Sequence, residues 1–355
     1  MNKAMGTFRI RRNDNCWCGS NKKFKKCHGA HGTNPWPESM LDIGKAREYF
    51  YRTGICLAAN RNKCSENIIN AHTISKSTSL APIAENGHVL SFVKRVNQTY
   101  EEYWAPQKIG INKATTLQCF CGYHDNILFK NIDQKKFEPN ATAAFLMSYR
   151  NLCKELYEKI ISVKLLDLGE EFFMSQDEFR HWSLRAAETA ALEDLKNRKC
   201  RFDKMLKSQR YSKFKFKSFK MPSEIKFTCS ASTFIDVDIN GNEIQDLINT
   251  DGEKSYISVS AVYNDGALYV FFAWDLESDA HAQILVSSIE ESDDPIKQIV
   301  YYIFVNFGNI CMNPTWYNGL NDRTKETLTK ALELGGVSSI NRSELFPLCE
   351  ELSVC

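Results

Sequence analysis

The sequence predicts an α+β chain in four parts: a small cysteine-rich knot, a ββα domain rich in cysteine and histidine, a helical hairpin and a mixed α+β domain. Three observations predict this. Cys16, Cys18, Cys27 and His28 crowd one short stretch, while Cys56, Cys64, Cys119, Cys121 and His124 bracket His72. Residues 143–163 place apolar side chains at three- and four-residue steps, the period of a helix. Past Pro222, alternating runs are joined by Asn240-Gly241 and Asp265-Gly266, which are hairpin turn pairs. The expected boundaries are 12–32, 45–138, 140–210 and 211–355.

Composition bounds the function. The chain has 355 residues, 43% of them apolar, which is ordinary for a globular protein of two or three domains. It shows no apolar run of membrane-spanning length, and its N-terminus lacks the apolar core of a secretory signal. A reducing, cytoplasmic compartment is therefore expected, where clustered cysteines among the 13 present bind metal rather than form disulfides. The net charge of +2 hides an asymmetry: residues 221–355 hold 7 Lys/Arg against 21 Asp/Glu, and residues 1–220 hold 38 against 22. A basic front half points to a polyanionic partner such as nucleic acid.

Residues 15–29 read NCWCGSNKKFKKCHG. Four ligands in so short a stretch can surround one tetrahedral ion, and a segment this small takes its fold from that metal. The pattern resembles the SEC-C motif, a small zinc module of bacterial proteins. The resemblance implies a zinc knot held by Cys16, Cys18, Cys27 and His28, with a docking role toward a protein partner. Two prolines in residues 30–45 read as a linker.

In the central part, Cys56 and Cys64 flank a loop, and IINAHTI reads as a strand carrying His72. Leu80–Val96 reads as extended, turning at Asn86-Gly87, and the apolar spacing after Cys121 opens a helix. This layout resembles the HNH, or ββα-metal, nuclease superfamily, in which an Ala-His strand supplies the catalytic histidine. The resemblance implies that His72 activates water for phosphodiester hydrolysis beside a Mg²⁺ or Mn²⁺ ion. It also implies a second structural Zn²⁺ on Cys56, Cys64, Cys121 and His124, with Cys119 competing for one place. Where the family has its next metal ligand this chain has Asp125 and Asn126, and Asp125 offers a hard oxygen for the catalytic ion. Alternatively, His124 holds that ion and Cys119 joins Cys121 at the zinc. The long stretch from His72 to Cys119 implies an insertion around residues 92–108.

The helix of 143–163 breaks at 165–169, and Ser175 with Glu178 forms a capping box for a second helix. Residues 198–220 hold ten Lys/Arg against Asp203 alone. In YSKFKFKSFK, Lys213, Lys215 and Lys217 alternate with Phe214 and Phe216. With Arg210 these lysines can bind phosphates while the phenylalanines stack bases; equally, this is an edge strand with its phenylalanines in the core. Further on, residues 278–290 read as a strand, 294–308 as a helix, 308–320 as a loop and 322–336 as a helix.

The function expected is a metal-dependent, HNH-like endonuclease acting on DNA or RNA, in a layout resembling bacterial defence proteins. The alternative is a non-catalytic zinc adaptor that binds nucleic acid, ribosomes or a protein partner. A third reading gives the C-terminal domain its own activity on a small molecule.

Overall fold

Strand β1 (Ile68–His72) pairs antiparallel with β4 (Thr116–Cys121), and helix α1 (Gly122–Phe129) follows at once. The order is strand, strand, helix, but the strand paired with that of His72 is 116–121 and not the 80–96 run expected from the sequence. The computed structural model describes residues 50–335, apart from Glu66, 97–101, Gly169 and 248–252, together with Asn13 and residues 23–26. The knot ligands Cys16, Cys18, Cys27 and His28 and the linker lie outside the described residues.

Between β1 and β4 the chain makes a hairpin of β2 (His88–Val96) and β3 (Glu102–Gly110). Asn86 and Gly87 turn into it with φ of 50° and 71°, values that suit Asn and Gly. The extended run expected from Leu80 is corrected. Lys76–Leu80 and Ala81–Ile83 are short helical turns, because Pro82 fixes a helical φ and has no N–H to give a sheet.

The hairpin joins a second sheet of seven strands in the order β3-β2-β9-β6-β7-β8-β5. The others are β5 (Lys215–Lys220), β6 (Phe227–Phe234), β7 (Tyr256–Asn264), β8 (Ala267–Trp274) and β9 (Ile310–Met312). Leu90 on β2 pairs with Met312 on β9, so strands from before residue 138 and after residue 211 share one sheet. Asp265 and Gly266, with φ of 52° and 81°, make the expected turn between β7 and β8.

Helices cover both faces. On β8, Val270, Phe272 and Trp274 enter a core with α4 (Asp279–Glu290), α5 (Pro295–Asn306) and α7 (Asp322–Gly335). The alternate residues Phe271 and Ala273 enter another with α2 (Ala141–Leu168) and α3 (Glu170–Ser208). The α2 interface includes a polar anchor: fully buried Asn151 donates to Ser258, Ser260 and the Ala231 carbonyl.

Three further expectations are corrected. Residues 278–290 form α4 rather than a strand, because Ala282, Leu285, Val286 and Ile289 bury one helical face. Residues 308–320 contain β9 and helix α6 (Pro314–Gly319), whose first turn the Asn313 side chain caps through the Trp316 N–H. Helix α3 starts at Glu170, ahead of the Ser175–Glu178 box.

Candidate metal centre

Cys121 ends β4 in an extended conformation as the N-cap of α1, and His124 follows one turn on, which brings its Nδ1 to the Cys121 sulfur. Cys56 arrives on a segment that runs beside β4, with Ile55 N–H donating to Gln118 O (2.9 Å) and Leu57 N–H to Cys119 O (2.9 Å). Gly54 permits that approach, since a methyl there would overlap Ile68 and sit 2.9 Å from Gln118 Cβ. Cys64 is drawn in by its neighbour Ser65, whose hydroxyl accepts the Tyr123 N–H at 3.4 Å. From behind, the Tyr149 hydroxyl donates to Leu57 O (3.3 Å) and Asp203 (2.7 Å), and Lys199 donates to it at 2.9 Å.

The four donor atoms of Cys56, Cys64, Cys121 and His124 lie within 4.8 Å of one another. His124 Nδ1 is 3.5 Å from Cys56 Sγ, 3.5 Å from Cys64 Sγ and 3.2 Å from Cys121 Sγ. A tetrahedral zinc with ordinary Zn–S and Zn–N bonds sets its nitrogen and sulfur about 3.5 Å apart, so the donor set fits that ion. Cys56, Cys121 and His124 are buried and Cys64 is exposed. Burial acts to raise the Cys121 thiol, but the His124 N–H, the Ser65 hydroxyl and the His124 ring bring it down to about 6. The Cys64 thiol is pushed up to about 11, by desolvation first and then by Cys56 beside it. Without metal the thiolate is thus favoured at Cys121 and disfavoured at Cys64, whereas a bound cation stabilises thiolate ligands.

Cys119 is not in this group. Its thiol is buried in the core under α2, with Cys153 in electrostatic reach, and burial pushes it well above its ordinary range. The choice left open among Cys119, Cys121 and His124 falls on the last two. His124 is therefore placed with the sulfurs rather than with His72.

At the other end of the β1–β4 pair, His72 pairs in register with Thr116 and is half-buried. Its Nε2–H donates to Ile111 O at 2.9 Å. The turn that presents this carbonyl is strained: Thr115, a β-branched residue, has φ of 56°, and its carbonyl accepts both the N–H and the hydroxyl of Thr73. Asp125, on α1, lies within electrostatic reach of His72. Burial lifts its carboxyl above the ordinary range, while Arg150 and His72 pull it down, and its Oδ1 is buried without a hydrogen-bond partner. Arg150 makes a two-pronged pair with Asp133 at 3.0 and 2.6 Å and stacks 4.1 Å over the Phe129 ring. Asn126 is exposed on the outer side of α1.

The cations expected to bind phosphates, Arg210, Lys213, Lys215 and Lys217, lie in the segment that leads into and forms β5. Strand β5 is the last of its sheet, Lys215 pairs with Asp279 of α4 at 2.6 Å, and Lys217 pairs with Glu290. Lys213 and Arg210 are exposed. Phe214 is buried against Phe145 and Phe202, and Phe216 packs near Phe271, so neither ring is open for stacking.

Sequence reasoning missed Ile111, Thr115, Asp133, Arg150 and Tyr149. Arg150 and Tyr149 sit in an amphipathic helix with nothing to mark them, and Thr115 is marked only by its positive φ.

Among known families, the SEC-C motif, a zinc-binding motif, matches residues 12–30. No curated protein and no solved structure matches the chain. No helix among the described residues is long and apolar enough to cross a membrane. The chain thus carries a zinc-binding motif at its N-terminus and, in its centre, a Cys₃His cluster that could hold a metal such as zinc.

Proposed function

We propose that the chain is a zinc-supported, metal-dependent nuclease of the ββα-metal kind, with His72 as the general base. The observation that carries this reading is the bond from His72 Nε2–H to Ile111 O. A carbonyl only accepts, so the proton sits on Nε2 and Nδ1 is left as a lone-pair base. A histidine fixed in one tautomer with a free lone pair suits the removal of a proton from water attacking a phosphodiester.

Asp125 is the residue that would hold a Mg²⁺ or Mn²⁺ ion, because its buried Oδ1 has no partner and is a hard oxygen. Such an ion, when bound, supplies positive charge to the phosphate oxygens. A zinc ion at the Cys121 end would keep β4 and α1 in register, so that Asp125 stays within electrostatic reach of His72.

A non-catalytic zinc protein that binds nucleic acid is the second reading. It draws on one observation: Arg150 already engages Asp133, which leaves Asp125 as the one uncommitted carboxylate identified near His72. Incubation of wild type and His72→Ala with plasmid and with RNA, with and without Mg²⁺ or Mn²⁺, separates the two. The nuclease reading expects metal-dependent cleavage that the variant loses. Cleavage retained by the variant, or absent from both proteins in every metal, supports the second reading instead.

A further inference from the structure

The segment that follows His72 is tied down from the far end of the chain. The Asn313 side chain, just ahead of α6, donates to Ile83 O at 3.1 Å. The Thr315 N–H donates to the Glu85 carboxylate at 3.0 Å. Asn309, just ahead of β9, reaches the residue next to His72. Its Nδ2 donates to the Thr73 hydroxyl at 3.2 Å and to Ser230 O, on β6, at 2.8 Å.

Thr73 is buried, and its hydroxyl is paired on both sides. It accepts from Asn309 and donates to Thr115 O at 3.2 Å, the carbonyl that also accepts the Thr73 N–H at 3.0 Å. Thr115 closes the turn whose Ile111 carbonyl holds the His72 Nε2–H. That turn is short and tight, since Gly110 O accepts the N–H of both Lys113 (2.8 Å) and Ala114 (3.0 Å). Apolar packing runs the same way: Ala114 and Ile74 are buried in one cluster with Cys311 of β9. Strands β1 and β4 form a two-stranded sheet of their own, and such a pair is marginal by itself. Support for the His72 end must therefore come from outside it.

We infer that Asn309 is a positioning residue for His72, acting through Thr73 and the 110–115 turn. Removing its amide frees the Thr73 hydroxyl from the partner that fixes its rotamer, and so loosens the hold on Thr115 O. The Ile111 carbonyl can then drift, and the imidazole can carry its proton on either nitrogen. The role rests on the reading of His72 as general base, but the placement of the ring is measurable without any cleavage.

The test is ¹⁵N NMR of the full-length, zinc-loaded protein at a pH where the imidazole is neutral. The His72→Ala spectrum assigns the signal, and cleavage of plasmid and RNA with Mg²⁺ is measured in parallel. Wild type is expected to show the Nε2–H tautomer alone. Asn309→Ala and Thr73→Val are each expected to show both tautomers, and to cleave at least about tenfold more slowly with KM unchanged. Thr73→Ser keeps the hydroxyl and should restore the single tautomer. Gln245→Ala is the control. Buried Gln245 bonds Ile235 O, Ser255 O and the Ser255 N–H, so this variant loses more hydrogen bonds yet should leave the His72 signal unchanged. A single tautomer in folded Asn309→Ala overturns the inference, and so does an equal mixture in Gln245→Ala, which would mark general loosening. If Asn309→Ala does not fold, Thr73→Val against Thr73→Ser decides: the same tautomer in both overturns it. Absence of cleavage from every protein, wild type included, sinks the nuclease reading and leaves the tautomer result standing.

Discussion

The two ends of the β1–β4 strand pair differ in how they are built. At the Cys121 end, four donors from two short stretches converge on a point, and their chemistry nearly specifies the ion. At the His72 end, the ring is held by a carbonyl from the β3–β4 turn, Asp125 on α1 lies within electrostatic reach, and Arg150 from α2 pairs with Asp133. The first end is closed and self-sufficient. The second is open, assembled from distant segments and strained at Thr115. Ligand convergence supplies stability, and the assembled end keeps the uncommitted groups that chemistry requires.

The largest effect should come from breaking the first end. Cys121→Ser removes a ligand and leaves three, so the central ion is lost; structural zinc contributes on the order of 10 kcal/mol to such folds. Thermal melting should then show the ββα unit unfolding well below the rest. Next is Arg150→Ala, which strips a buried guanidinium from Asp133 and from the Phe129 ring. It is expected to cost about 3 kcal/mol in urea denaturation, because the partner charge is left uncompensated. Arg150→Lys should recover only part of that loss, lacking the two-pronged geometry.

Zinc affinity should fall with pH. Cys64 holds its proton up to about 11 without metal, so binding must displace it, and protonation competes as pH drops. Competition with a chromogenic chelator should show affinity weakening about tenfold per pH unit for each proton displaced. A pH-independent affinity would contradict thiolate ligation. The smallest effect separates the ends most finely. Thr115→Gly relieves the positive φ and should stabilise the chain by about 1 kcal/mol, since the strain removed exceeds the entropy glycine adds. If that turn serves His72, the gain in melting temperature will come with a looser imidazole, visible as mixed tautomers by ¹⁵N NMR.

The metal end was legible in sequence because ligand spacing is local information: Cys121 and His124 lie on one turn, and Cys56 and Cys64 flank one loop. Even so, choosing between Cys119 and Cys121 needed the fold, because both point to the same side of β4 and only the strand end reaches the other ligands. The hairpin turns at Asn86-Gly87 and Asp265-Gly266 were readable for the same local reason. What surrounds His72 was not. Ile111 contributes a backbone atom that carries no sequence signature, and Arg150 is one cation among many in a helix. The alternation of lysine and phenylalanine in 213–217 was read in both its senses, and the pairing of β5 at the sheet edge shows where the rings go. Residues 278–290 misled because a β-branched, serine-containing run hides its helical period until Leu285 and Val286 are seen to bury together.

Cys56, Cys64, Cys121 and His124 could hold a zinc ion, and stoichiometry tests that most directly. Metal analysis of the purified full chain should give two zinc ions, one at the SEC-C motif and one here. Cys121→Ser should give one, and Cys119→Ser should still give two. Loss of zinc in the Cys119 variant with retention in the Cys121 variant would contradict the account.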